Sequence, residues 1–139
     1  MTIIIEMLRQ HEGLETHAYT DTVGKVTIGV GRNIDPNGGL GLSDDEIDYL
    51  LANDVKRVNG ELARAFSWYK TVAPARKDAM MDMCFNMGLP RLKKFKKALA
   101  AMAMGDYNEA AIEFLDSRWS SQVGQRAITI TDMIRSGEY

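Results

Sequence analysis

Apolar residues recur three and four apart in "TIIIEMLRQHEG", where Ile4, Met7, Leu8 and His11 share one helical face. The spacing predicts a first helix, with Thr2 as its cap and Gly13 as its stop. The period then changes to two. Val26, Ile28 and Val30 alternate with Thr27, Gly29 and Gly31, which predicts a strand whose apolar side packs inward and whose other side is nearly bare. "TDTVGK" supplies Asp21 and Gly24 for a tight turn, so this segment reads as a β-hairpin. "NIDPNGGLGL", with Pro36 and three glycines, predicts a loop with room for a short third strand. Helical spacing returns with a capping box, Ser43 and Glu46, followed by Ile47, Leu51, Val55, Val58 and Leu62. Gly60 is the point where this helix is expected to bend or end. From Pro74 onward the pattern is helical: "PARKDAMMDMCFNMG", "KKFKKALAAMAMG", "DYNEAAIEFLD" behind a second capping box of Asp106 and Glu109, "SRW" and "QRAITITDMIRSG". A helix, a small sheet and a run of helices make an α+β plan.

Composition narrows the class. A chain of 139 residues suits one domain with room for two lobes, and is long enough for a core without disulfides or metals. A net charge of −2 sets up no global basic field for nucleic acid. Cys84 is the single cysteine, which excludes an intramolecular disulfide and fits a reducing cytoplasm. His11 and His17 form no metal spacing with it. "MTIII" is far too short for a signal-peptide core, and no run approaches the roughly 18 apolar residues of a membrane helix. "RLKKFKKAL" gathers Arg91, Lys93, Lys94, Lys96 and Lys97 around Phe95; a solvated helix start and an attraction to an anionic polymer both fit it. "MMDMCFNM" reads as core.

Three residues carry candidate chemistry. Glu12 ends the first helix, where the dipole disfavours negative charge, and partial burial would push its pKa the same way. An acid held protonated suits proton donation, although a glutamate at a helix end is common on its own. Asp21 fits a turn and Thr27 fits a strand, each without any further role. Together they are more specific. Two carboxylates flanking an open strand face can protonate a leaving oxygen and activate water.

The segment "HEGLETHAYTDTVGKVTIGVGR" resembles the active-site region of the phage-type lysozymes, glycoside hydrolase family 24. The matching motifs are Glu12-Gly13, Tyr19-Thr20-Asp21 and Gly24-Lys25-Val26-Thr27-Ile28-Gly29-Val30-Gly31. "FNMG" (Phe85 to Gly88) and "SRW" (Ser117 to Trp119) resemble two further landmarks. The resemblance implies a lysozyme-like α+β fold in one domain over 1–139. Residues 13–58 would form the sheet lobe with its connecting helix, and 1–12 with 59–139 the helical lobe, with a cleft between. It implies a muramidase that cuts the β-1,4 bond between N-acetylmuramic acid and N-acetylglucosamine, with inversion. Glu12 would be the general acid, and Asp21 and Thr27 would place the attacking water. Gly29, Gly31, Arg32, Phe85, Asn86 and Arg118 would contact the glycan or shape its cleft, with no metal and no cofactor.

Two departures from the family pattern stand out. Arg32 replaces the usual histidine, so a guanidinium that does not titrate is expected to pair with Asp44, Asp45 or Asp54. Ala98 and Glu113 stand where a serine and an asparagine are expected. We expect a monomer acting on peptidoglycan glycan strands, with no nucleic-acid partner and no stable membrane association. It would collect in the host bacterial cytoplasm and reach the wall through a holin-type pore. A lytic transglycosylase and a non-catalytic wall-binding module are the alternatives.

Overall fold

The computed structural model describes residues 2–139, and Cα proximity divides the chain into two compact units, Met1–Leu50 and Leu51–Tyr139. In the first, α1 (Thr2–Glu12) ends where Gly13 N–H donates to the Arg9 carbonyl at 3.0 Å. The cap expected of Thr2 rests on a side chain outside the described ones. The apolar residues of α1 stay open: Ile3, Ile4, Ile5, Met7 and Leu8 are all exposed.

The hairpin forms as its alternation requires. Strand β1 (Glu15–Thr20) pairs antiparallel with β2 (Val26–Gly29), and β2 with a two-residue β3 (Arg32–Asn33), in the order β1-β2-β3. The expected burial is reversed, however. Thr27 is 4% exposed and is the one fully buried residue of this unit among those described, whereas Val26, Ile28 and Val30 are half-buried. The cause is β3. Thr27 lies in the central strand opposite both Tyr19 and Asn33, and residues directly opposite share a face, so larger side chains wall it on two sides. Alternation also stops at Gly29. Because Ile28 pairs with Arg32, the chain turns over Gly29, the last residue of β2, and Val30-Gly31, with both glycines at positive φ, 69° and 67°. These glycines serve the turn rather than continuing a bare strand face.

Helix α2 (Asp44–Ala65) opens with both arms of its capping box: Ser43 N–H donates to Glu46 Oε1 at 2.8 Å and Glu46 N–H to Ser43 Oγ at 3.3 Å. It runs through Gly60 without ending. A helical glycine costs only about 1 kcal/mol against alanine, and Val58 and Leu62 on either side are buried.

The second unit takes the rest of α2, a 3₁₀ turn (Tyr69–Thr71), then α3 (Pro74–Met87), α4 (Leu89–Leu92), α5 (Lys96–Met104), α6 (Tyr107–Leu115), α7 (Arg118–Val123) and α8 (Gln125–Ser136). The helix expected from Lys93 starts only at Lys96, as α5, and the "LPRL" before it forms the separate short α4. The glycine stops hold at Gly88, Gly105 and Gly137, where each N–H returns to a carbonyl of the helix it ends. Helix α6 packs against α5 and α8, and α3 against α8. Their shared core is Leu62, Tyr69, Met80, Met83, Leu92, Met102, Phe114, Trp119 and Ile134. Each such side chain contributes about 1.5–3 kcal/mol on burial. Met80, Met83 and Cys84 are core, as their spacing predicts, and burial pushes the Cys84 thiol pKa up.

Candidate active site

The first unit brings Glu12, Asp21, Thr27, Gly29, Gly31 and Arg32 onto one helix end and the sheet that follows it. Glu12 is the last residue of α1 and is exposed, so the condition of partial burial is not met. It accepts no hydrogen bond and joins no ion pair among the described residues. Its place is set by Gly31: a Cβ there would fall 2.8 Å from Glu12 Oε2 and 3.1 Å from Cδ. The turn after β2 therefore leaves room for the Glu12 carboxyl. Gly31→Ala puts a methyl group into that space and holds a side chain at φ 67°. The carboxyl is a flexible side-chain end, so it would swing away at a stability cost of only about 1–3 kcal/mol. We expect turnover to fall about tenfold with wall affinity within twofold, read by comparing kcat with sedimentation onto purified wall.

Asp21 and Thr27 meet at one peptide group. The Lys25 carbonyl accepts both the Asp21 N–H at 2.9 Å and the Thr27 hydroxyl at 3.0 Å. Asp21 Oδ1 in turn accepts the N–H groups of Lys25 at 2.8 Å and Val23 at 3.0 Å. The turn role of Asp21 thus uses one oxygen and leaves the other open, because Oδ2 accepts no hydrogen bond from the described residues. Thr27 has given its proton to Lys25, so its oxygen is left as an acceptor.

Arg32 does not pair with Asp44, Asp45 or Asp54. It takes Glu46, with Nη1 2.9 Å from Oε1 and Nη2 2.8 Å from Oε2, and Nη1 also donates to the Gly41 carbonyl at 2.9 Å. Glu46 lies three residues past the helix cap, so its side chain turns back toward the sheet, while Asp44 and Asp45 are exposed at the helix start. One carboxylate therefore closes the capping box and anchors β3. The Arg32 hydrogen bonds, followed by those from Ser43, hold the Glu46 pKa down to about 2 against an ordinary 4.5. A folded pKa below the unfolded one contributes stability fully above about pH 4.5, and that contribution is lost as pH falls toward 2. Glu46→Gln is expected to flatten the fall in urea midpoint across this window.

In the second unit, Phe85 is 49% exposed and borders an apolar groove of about 350 Å³ lined by Leu51, Val55, Val58 and Met81. This removes the reading of Phe85 as core. Asn86 caps no helix end; its Oδ1 accepts Trp119 Nε1–H at 3.0 Å, which ties α3 to the buried Trp119. Arg118 is exposed at the first position of α7. Ala98 is buried, while Glu113 is half-buried beside Lys94, Lys96 and Lys97. Among the described residues no group of histidine, cysteine and carboxylates is placed to hold a metal. Two residues that motif reading missed are Lys25 and Asp35, which join the loop to β2; the "DPNG" turn signal marks Asp35 but not its partner.

A helix ending in a free carboxyl beside a small antiparallel sheet, followed by a helical unit, is a lysozyme-like α+β fold. A model of the phage lysozyme family matches residues 9–133, and the chain belongs to that family. It is 28% identical over 158 aligned positions to probable T4-type lysozyme 2 of Dictyostelium discoideum, covering 95% of this chain and 93% of that one. It is 30% identical to the pre-baseplate central spike protein Gp5 of Enterobacteria phage T4, covering 95% of this chain but 27% of that protein. An endolysin of Acyrthosiphon pisum secondary endosymbiont phage 1 is 25% identical, with 82% of this chain and 75% of that one aligned. Membership of the family implies glycosidase activity with peptidoglycan as substrate, and supports a muramidase or endolysin function.

Proposed function

We propose that the protein hydrolyses the β-1,4 bond between N-acetylmuramic acid and N-acetylglucosamine, with Glu12 as general acid and Asp21 and Thr27 holding the water. The observation that carries this reading is the shared Lys25 carbonyl. It fixes Asp21 and Thr27 in one strand end with one free acceptor each. A water donating one proton to Thr27 Oγ1 and the other to Asp21 Oδ2 turns a lone pair outward for attack. Glu12 passes its proton to the glycosidic oxygen as the C1–O bond breaks. The water oxygen bonds to C1 from the opposite face, and its proton passes to Asp21. Such a one-step displacement inverts the anomeric centre and needs carboxyls about 6.5–9.5 Å apart. Gly29, Gly31 and Arg32 shape the edge that the glycan passes, and Phe85, Asn86 and Arg118 are proposed as further glycan contacts.

The biological setting extends this reading. No helix of the described residues is long and apolar enough to cross a membrane. We place the enzyme, as a monomer, in the host bacterial cytoplasm, with lysis following once a holin-type pore admits it to the wall. Digestion of purified peptidoglycan tests the chemistry. New reducing muramic acid ends are expected. Anhydro ends would mean a transglycosylase, and wall binding with no new ends would mean a binding module.

A further inference from the structure

The loop from Asn33 to Gly39 is fastened to the start of β2. Asp35 Oδ1 accepts the Val26 N–H at 3.0 Å, and Oδ2 accepts the Asn37 N–H at 2.9 Å. Lys25 Nζ donates to the Asn37 carbonyl at 2.9 Å and lies 3.9 Å from Asp35 Oδ2. Ile34 N–H returns to the Val26 carbonyl at 2.9 Å. The loop is folded closely around this carboxylate, since a Cβ on Gly39 would meet the Asp35 N and O atoms at 2.5 Å. The Asp35 side chain is 10% exposed. The N–H donors of Val26 and Asn37, helped by Lys25, hold its carboxyl below the usual range. Lys25 and Val26 are the two residues immediately before Thr27, and the Lys25 carbonyl is the acceptor on which Asp21 and Thr27 converge.

We infer that Asp35, braced by Lys25, is a positioning residue that fixes the Lys25–Thr27 segment, so that Thr27 Oγ1 and the free oxygen of Asp21 hold one water between them. The inference rests on the catalytic reading of those two residues. Asp35 acts through Thr27 and touches neither water nor glycan. The site suits a carboxylate because two separate N–H donors meet its two oxygens. An asparagine keeps one acceptor but turns its amide hydrogens toward either Asn37 N–H or Val26 N–H. A residue that merely shaped the loop would change stability and leave the turnover of the folded enzyme alone.

The test is a double-mutant cycle on the full chain, with kcat and KM measured on soluble peptidoglycan fragments and folding checked by circular dichroism. Asp35→Ala is expected to lower kcat about tenfold with KM within twofold. In a Thr27→Val background the same change should lower kcat no more than about twofold, because the group it positions is already gone. Asp35→Asn should recover part of the loss. Wild-type kcat in folded Asp35→Ala, a loss carried by KM, or an undiminished tenfold loss on top of Thr27→Val would each overturn the inference. If Asp35→Ala does not fold, Lys25→Met removes only the Nζ contacts. It should lower kcat about threefold in the wild type and not in Thr27→Val, and an unchanged kcat would overturn the inference. Thr27→Val alone reports on the catalytic reading, since wild-type turnover there would end that reading whatever Asp35 does.

Discussion

Replacing Glu12 by glutamine lowers turnover on peptidoglycan by about three orders of magnitude while fold and wall binding stay intact. General acid catalysis supplies about 10²–10⁴ in rate, and the amide cannot release a proton to the departing oxygen. The substitution is close to isosteric, so the space over Gly31 stays filled. The side chain is exposed and has no partner among the described residues, so its loss exposes no unpaired group. Melting temperature should therefore move by less than about 2 °C, as expected of a surface change. Turbidity clearing by the two proteins, with circular dichroism as control, measures both effects. Activity within threefold of wild type would remove Glu12 from the chemistry.

Trp119→Ala gives the largest effect on stability. Trp119 is 1% exposed within the core that joins Leu92, Met83 and Phe114, and its indole N–H is bound to Asn86. Truncating a buried aromatic to alanine costs about 3–5 kcal/mol. Total stability for a domain is only about 5–15 kcal/mol, so a large share of the margin goes with this one ring. The melting temperature should drop by on the order of 10 °C. Trp119→Phe separates packing from the hydrogen bond. It keeps a ring, and the released Asn86 is exposed and can turn to water, so the cost should be about 1–2 kcal/mol. A phenylalanine variant as unstable as the alanine one would show that the Asn86 bond, not the ring, holds α3 to α7.

These two side chains show what the amino-acid pattern makes legible. Met80 and Met83 of α3 sit in the core, three apart on one helical face, and Trp119 of α7 joins the same cluster. The capping box at Ser43 and the glycine stops at Gly88, Gly105 and Gly137 are local signals, and they form as local chemistry requires. The hairpin is equally local. What the pattern misreads comes from contacts made across a loop. A two-residue β3 has no periodicity of its own, yet it turns β2 into a central strand and buries Thr27 in place of Val26, Ile28 and Val30. Arg32 finds Glu46 fourteen residues away because the capping box has already aimed that side chain. Asp35 looks like ordinary turn punctuation until its two oxygens are seen to hold Val26 and Asn37. The glycines of "GVGR" are a hairpin turn and a space for Glu12, not a bare strand face.

The anomeric state of freshly made product tests the one-step displacement most directly. Peptidoglycan fragments digested in ¹⁸O-water and read at once by proton NMR and mass spectrometry report both the face of attack and the origin of the oxygen. Hydrolysis with inversion gives new N-acetylmuramic acid ends that appear first as the α-anomer and carry one ¹⁸O. A product that appears first as the β-anomer, or as an anhydro sugar without ¹⁸O, would contradict it.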